Sequence, residues 1–388
     1  MKKKFLGVDF NVILLGIVSF LTDVSSEMIF SVFSIFFTVI LGASTVLLGL
    51  IEGLADFASC SLDYLSGWIS DKTGKRKRFA VLGYGFSTIA KVLLIFANSI
   101  IFASLFRVIE RLGKSFRSSP RDAWLSSLSN KSNRGFSFGV HKSLDKAGAI
   151  VGPFIAYFIL NSLGQSAGTF KFLFLIALVP AVAAVIFLLF IKDKPVKPDG
   201  EMKIFESYKK TTRQFRHYLK TAGIFSFAYF SFGFLLLKAY HAGFAIKDVV
   251  LLYALFNIAF VIVSAPIGKL GDYIGRKKII ALSYIIYFIM CLGFIFAYTK
   301  IHIIALFVLF GIFYAIDEGQ SKAYVLDYEK KRRATAIGTY YFTVGVIYLP
   351  ASIIAGFLWK MNPNYAFIFA GAISLAALIF FVSRREKK

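Results

Sequence analysis

The chain has 388 residues, 57% of them hydrophobic and 17% charged, with a mean hydropathy of +0.71 and a formal net charge of +24. Soluble domains are about 45–50% apolar and about one-quarter charged. So much Phe, Ile and Leu excludes an ordinary water-solvated core and fits a bilayer, where each crossing takes roughly 20 apolar residues.

Twelve apolar runs are expected to cross, near residues 11–41, 44–69, 79–98, 100–124, 136–162, 170–191, 219–243, 248–268, 279–298, 301–326, 335–359 and 364–383. The opening Met1-Lys2-Lys3-Lys4 has the basic character of a signal peptide, but no small-residue cleavage site follows. The run continues past Asp23 and Glu27 to Leu41, as an uncleaved first span.

Helical positions advance about 100° per residue, so residues four and seven apart share a face. The first span carries Asp23 and Glu27 one turn apart, and the second carries Glu52, Asp56, Ser59 and Asp63 on one stripe. Lys91 lies within the third. The fourth aligns Arg107, Arg111, Lys114, Arg117 and Arg121, with Glu110 and Asp122 at the edges. The fifth presents His141 and Asp145 beside Lys142 and Lys146, and continues through Gly148 and Gly152. The second half is sparser, with Lys238 and His241, Asn257, and Asp317, Glu318 and Lys322. Charge inside a membrane is costly and marks function by default. A static network, with acids of spans one and two neutralised by span four, is the structural reading of the same residues. A water-filled cavity with moving partners is the functional one, because buried ion pairs add little stability over apolar packing. Acids close to bases also make proton relays.

The basic residues sit in alternate loops. Lys2 to Lys4 precede span one; Lys72, Lys75, Arg76, Lys77 and Arg78 follow span two; Lys131 and Arg134 follow span four. A basic linker lies at 192–218, Arg276 to Lys278 follow span eight, Lys330 to Arg333 follow span ten, and Arg384 to Lys388 close the chain. The intervening loops hold isolated bases at most. This is the positive-inside pattern, with both termini cytoplasmic. The net charge is therefore a topology signal, and no nucleic-acid partner is expected.

One loop occurs twice. Gly67, Asp71, Gly74, Lys75 and Arg76 return with the same internal spacing as Gly268, Asp272, Gly275, Arg276 and Lys277. A second echo places Arg134 and Gly139 against Arg333 and Gly338. Membrane chains whose halves repeat are built as secondary transporters with the site between the repeats.

The doubled loop resembles the major facilitator superfamily, whose loop between spans two and three reads G-x-x-x-D-[RK]-x-G-[RK]-[RK]. Within it, a prokaryotic group is resembled through Leu21 to Met28, Arg107 to Ala123, Gly139 to Pro153, Lys322 to Asp327 and Ala355 to Trp359. The resemblance implies an all-α integral membrane fold of twelve transmembrane helices in two six-helix bundles, 1–191 and 219–388, joined by the cytoplasmic linker 192–218. It assigns Gly67, Asp71, Gly74, Lys75, Arg76, Asp272, Gly275 and Arg276 to gating rather than to substrate contact. Gly139, Gly148, Gly152 and Pro153 match part of a span-five pattern of the family's antiporters, but Ala156 and Tyr157 replace its closing glycines. In span four Arg107 matches, whereas Glu110 and Arg111 stand for the usual Gln and Gly. Direction stays open.

Arg107, Arg111, Lys114, Lys91, Lys142 and Lys146 are the expected substrate-binding wall, since guanidinium groups pair bidentately with carboxylate or phosphate. Asp23, Glu27, Glu52, Asp56, Glu110, Asp145 and His141 are the expected proton-coupling groups. The expected activity is proton-coupled carriage of a small anionic or zwitterionic organic solute. Efflux of cationic or amphipathic compounds, recognised by Asp23, Glu27, Glu52 and Asp56, is the alternative. A membrane receptor or enzyme is the reading from another class. Against it, the four histidines are scattered and there is no Walker loop, H-E-x-x-H or C-x-x-C. No catalytic residue, metal or cofactor is expected. Cys60 and Cys291 lie in separate spans and read as packing residues. A monomer in the plasma membrane, with protons and lipid as the other partners, completes the expectation.

Overall fold

The computed structural model describes residues 4–5, 8–96, 98–129, 134–191, 211–329 and 333–383. A two-residue hairpin, β1 (Lys4–Phe5) and β2 (Val8–Asp9), leads into the helices. These are α1 (Phe10–Ile35, extended by a π-helical turn Phe36–Ile40), α2 (Thr45–Thr73), α3 (Arg76–Ile95), α4 (Ile100–Leu128), α5 (Arg134–Leu163) and α6 (Ala167–Phe190). The second half holds α7 (Arg213–Ser226), α8 (Phe232–His241), α9 (Ile246–Ile274), α10 (Arg276–Ile295), α11 (Lys300–Tyr328), α12 (Arg333–Met361) and α13 (Pro363–Val382).

The described residues thus form thirteen α-helices rather than the twelve expected. The extra one arises because the seventh span is broken. Its first piece starts inside the presumed linker, where Thr212 caps α7 by accepting from the Phe215 N–H at 3.2 Å. Ser231 then caps α8 through the Gly233 N–H at 3.1 Å. A short hydroxyl residue satisfies the orphan donors of a new helix start, which lets the chain interrupt and resume. The carbonyl of Ala228, freed at the break, accepts a hydrogen bond from the Tyr287 hydroxyl at 2.7 Å.

Among the described residues, ten helices are long and apolar enough to cross a membrane, by length and composition. The exceptions have physical causes: α4 carries too many charges, and α7 and α8 are individually too short. Large apolar side chains such as Ile89, Ile101, Val179, Phe190, Ile262 and Ile379 stand exposed on the helices. Water would penalise that surface and hydrocarbon would not. The chain is a multi-pass membrane protein.

Two compact units are present. The first gathers the described residues of Met1–Gly42, Ala58–Met202 and Ile246–Ala254; the second gathers those of Ala43–Phe57, Lys203–Ala245 and Leu255–Lys388. Each unit therefore takes most of one sequence half plus a short stretch of the other. In the first unit α1 packs on α5 and α6, and α3 packs on α4 and α6. One core cluster joins Val12, Leu15 and Val18 to Ala80, Tyr84, Trp124, Leu125, Ala184 and Leu188. In the second unit α10 packs on α11 and α13, and α7 on α12 and α13. Aromatic pairs fill its interior, with Phe225 stacked on Tyr284 at 4.3 Å and Tyr287 tilted on Phe313 at 4.8 Å.

Candidate functional site

The charges gather chiefly in the first unit, around α4. Close approach of α3 and α4 is possible because Gly83 and Gly113 face each other's backbone. A β-carbon on Gly83 would lie 2.6 Å from the Gly113 carbonyl oxygen. That contact brings Lys91 and the basic row into one neighbourhood.

Glu110 is fully buried, and Arg107 Nη1 stands 3.8 Å from its carboxylate. Arg111, Arg117 and Lys114 act on it as well, so four cations surround one carboxylate. The Arg107 guanidinium lies 4.5 Å over the Phe30 ring and that of Arg111 lies 5.3 Å over the same ring. An aromatic face attracts cations electrostatically without neutralising them, so Phe30 holds both guanidiniums side by side. Arg117 sits 4.6 Å over Tyr84 and donates to the Ser87 hydroxyl at 2.5 Å. Lys91, only 1% exposed, donates to the hydroxyls of Ser25 at 2.7 Å and Ser26 at 3.1 Å. Asp23 and Glu27 on α1 exert charge on both Lys91 and Lys114. The structure therefore brings together Asp23, Glu27, Lys91, Arg107, Glu110, Arg111 and Lys114.

A second group is more fully paired. Asp145 accepts a hydrogen bond from Ser19, with Arg121 at 3.8 Å and Lys142 at 3.6 Å. Arg121 also pairs with Asp122 at 3.0 Å and donates to Ser19 at 3.2 Å. Of the expected cationic wall, Lys142 has a side chain 57% exposed and pairs with Asp145, which sets it apart from the Phe30 cluster. Lys146 is half-buried and acts on Asp23. His141 is buried, and its Nε2 has no hydrogen-bond partner among the described residues. Asp63 accepts from the Ser119 backbone N–H at 3.1 Å, so it ties α2 to α4.

Glu52 and Asp56 lie in the second unit instead. Glu52 is buried and accepts from the Ser231 hydroxyl at 3.0 Å, at the break in span seven. Glu27 accepts from the Tyr253 hydroxyl of α9.

The two loop copies share a turn and differ in their contacts. Gly74 (φ 68°) and Gly275 (φ 97°) both adopt the left-handed conformation that favours glycine. In the first copy Arg76 donates to the Ala123 carbonyl at 3.0 Å, and Lys77 donates to the Leu189 and Ile191 carbonyls at the end of α6. Gly67 abuts the Ser119 side chain, and Lys75 is exposed. The Asp71 side chain lies outside the described residues, as do the side chains of Arg134 and Arg333. In the second copy Arg276 bridges Asp272 at 2.6 Å and Asp327 at 2.7 Å, and reaches Gln320 at 3.2 Å. Gly268 has open space around it.

Sequence reasoning missed several residues. Ser25, Ser26 and Phe30 look like ordinary span residues. Gln320 lies near the end of α11 with no marking motif, and Asp327 closes the stretch Lys322 to Asp327 without being singled out in it. Tyr253 had a signal: it follows Glu52 by the same number of residues as Gly268 follows Gly67.

Comparison with known proteins agrees with this architecture. The model of the Major Facilitator Superfamily matches residues 15–247 and 222–388. A protein of Methanocaldococcus jannaschii described as an uncharacterized MFS-type transporter is 38% identical over 381 residues, covering 96% of this chain and 94% of that one. A second MFS-type transporter from the same organism is 25% identical over 287 residues, 73% of this chain and 74% of that one. Among solved structures, the nucleoside transporter NupG superposes with a TM-score of 0.78 at 16% identity, covering 98% of this chain and 100% of that one. A POT family transporter in complex with a thioalcohol-conjugated peptide gives 0.78 at 13% identity, covering 98% and 97%. At such identities only the fold is shared. By the family match along nearly its whole length, this chain belongs to the Major Facilitator Superfamily.

Proposed function

We propose that the protein is a proton-coupled secondary transporter of a small organic anion or zwitterion, working by alternating access in the plasma membrane with both termini cytoplasmic. The observation that carries this reading is the pair of guanidiniums, Arg107 and Arg111, laid over one Phe30 ring beside a single buried carboxylate. Phe30 orients the forks without neutralising them, and guanidinium pairs bidentately with carboxylate or phosphate. Lys91 and Lys114 add positive potential to the same neighbourhood. An anionic group that binds Arg107 competes with Glu110 for it. In this reading that competition links solute and proton binding. Asp23 and Glu27, which act on Lys91 and Lys114, extend the relay. The loop residues around Gly74 and Gly275 are gating elements in this reading, and no residue is assigned a catalytic role.

A thermal-shift screen of purified protein against anionic and cationic solutes at two pH values tests it. A ligand that binds the folded state raises apparent stability with occupancy. Anions should stabilise the protein, and Arg107→Gln or Arg111→Gln should abolish that shift while leaving the ligand-free melting temperature within a few degrees. Stabilisation by cations alone, lost in Asp23→Asn or Glu27→Gln, would overturn the anion reading and favour efflux of cations. Ligand binding without flux in proteoliposomes would point to a receptor.

A further inference from the structure

Two hydrogen bonds, one inside each compact unit, follow the same rule. In the first unit, the Tyr253 hydroxyl on the contributed stretch Ile246–Ala254 of α9 donates to Glu27 on α1. In the second unit, the contributed stretch Ala43–Phe57 of α2 brings Glu52, which accepts from Ser231 between α7 and α8 at 3.0 Å. Each bond joins the first span of one sequence half to the second span of the other. Glu52 and Tyr253 are also counterparts, separated by the same number of residues as Gly67 and Gly268 or Asp71 and Asp272. The repeat has thus kept one end of the bond in register, while at the other Ser231 stands three residues beyond the counterpart of Glu27, and the helix that carries the acid is exchanged.

We propose that Tyr253 and Ser231 are positioning residues that form a symmetry-related pair of acid–hydroxyl latches, each holding a contributed stretch onto its unit until the acid takes up a proton. The proposal rests on the reading that Glu27 and Glu52 carry protons. An O–H···O⁻ bond is about twice as strong as a neutral one. Protonation of the carboxylate therefore weakens each latch without removing any atom. The rest of each contact is consistent with a releasable stretch. In the first unit it includes polar contacts at the helix start, with Gln165 accepting from the Ile246 N–H at 2.7 Å and Lys247 donating to Asn161 at 2.8 Å, beside the buried Val249 and Val250. In the second it is a small-residue seam, where the Thr45 hydroxyl donates to the Gly356 carbonyl at 3.2 Å. Charged groups near Glu27 include Asp23 on its own helix, Lys91 of α3 and Lys114 of α4, and Lys146 of α5 acts through Asp23. Lys247 and Asp248 are the charged groups on the contributed stretch itself. Asp56 is the charged neighbour on the helix of Glu52, and it acts on Tyr229 beside the span-seven break.

Amide hydrogen exchange of the full chain in lipid nanodiscs, corrected for intrinsic rates across an acidic-to-neutral pH series, tests the proposal without any substrate. Protection of 246–254 should fall toward acid pH in the wild type. Glu27→Gln, which imitates the protonated acid, should hold it at the acid level across the series, roughly tenfold below the wild type at neutral pH, the factor expected for losing one charge-assisted bond. Tyr253→Phe should produce the same loss, and the double variant no more than either single one. Ser231→Ala and Glu52→Gln should act in the same way on 43–57 and leave 246–254 unchanged. Unaltered protection in Tyr253→Phe, or losses that simply add in the double variant, would overturn the latch. If Glu27→Gln loosens the whole protein, Tyr253→Phe, which removes one oxygen, decides alone. Because no flux is measured, failure of proton coupling in a transport assay and failure of the latch are separate results.

Discussion

Glu110→Ala is expected to lower the stability of the first unit by about 3–5 kcal/mol, the cost of removing one partner from a buried charge cluster. Glu110 is the shared carboxylate of Arg107, Arg111, Lys114 and Arg117, and it has no solvent exposure. Without it, four cations in a low-dielectric interior repel one another, with Asp23 and Glu27 of α1 left to act on Lys114. In detergent this should appear as an apparent melting temperature lower by at least about 5 °C. A second substitution, Arg117→Met, should recover a good part of the loss, because the two changes lie in one network and are not additive. Arg117 is the suitable partner, since its guanidinium contacts Tyr84 and Ser87 rather than Phe30. A silent Glu110→Ala variant would mean that the cations are hydrated in place, and the cluster would then be a wet cavity with little stored repulsion.

Gly152→Leu and Gly148→Leu should be comparably damaging, at about 3 kcal/mol or more each, with much of the protein failing to reach a folded state. A β-carbon on Gly152 would lie 2.6 Å from the Val24 carbonyl oxygen and 3.0 Å from the Met28 nitrogen. On Gly148 it would collide with the Phe20 carbonyl oxygen. Both obstacles are backbone, so α5 must move away from α1, and α1 carries Asp23, Glu27 and Phe30. Gly139→Leu is the matched control, because nothing lies within 4 Å of its β position. Expression yield and fluorescence-detected size exclusion of the three variants read the difference directly. Equal behaviour of all three would show that helix packing along this face is looser than the structure has it.

These glycines illustrate what a single chain reveals. Gly139, Gly148 and Gly152 are indistinguishable as letters of one pattern, yet only the last two stand in a helix contact. Span positions were legible because hydropathy integrates over some twenty residues, and even the charged α4 fell where its apolar flanks put it. The break in span seven was not legible, because Ser231 caps a helix only in a context where the preceding turn has already ended. Pairing was the least legible layer. The acids of α1 and α2 and the bases of α4 were evident as a population, and Glu110 shares a face with Lys114 and Arg117, but spacing alone does not say that these bases turn to Glu110 rather than to the acids of α1. Nor does it say that Asp145 is engaged by Arg121, Lys142 and Ser19, or that Glu52 sits in a different unit from Glu27. The duplicated loop offered one further clue, the correspondence of Glu52 with Tyr253, which becomes informative only once both are seen to hold a bond.

The charged α4 also has a consequence for how the polypeptide enters the bilayer as it is made. A helix with this many ionic groups gains little from partitioning alone, so its neighbours must receive it. For Arg107, Arg111 and Arg117 the receiving groups are Phe30, Tyr84 and Ser87, all of which leave the ribosome earlier than α4 does. Arg121 finds Asp122 on its own helix and Ser19 on α1, and gains Asp145 when α5 follows. Nascent chains arrested just after α4 should therefore already hold that helix in the membrane, whereas deleting α1 and α3 should leave it stranded outside. The order of the spans along the message is, in this sense, the order in which ionic debts are settled.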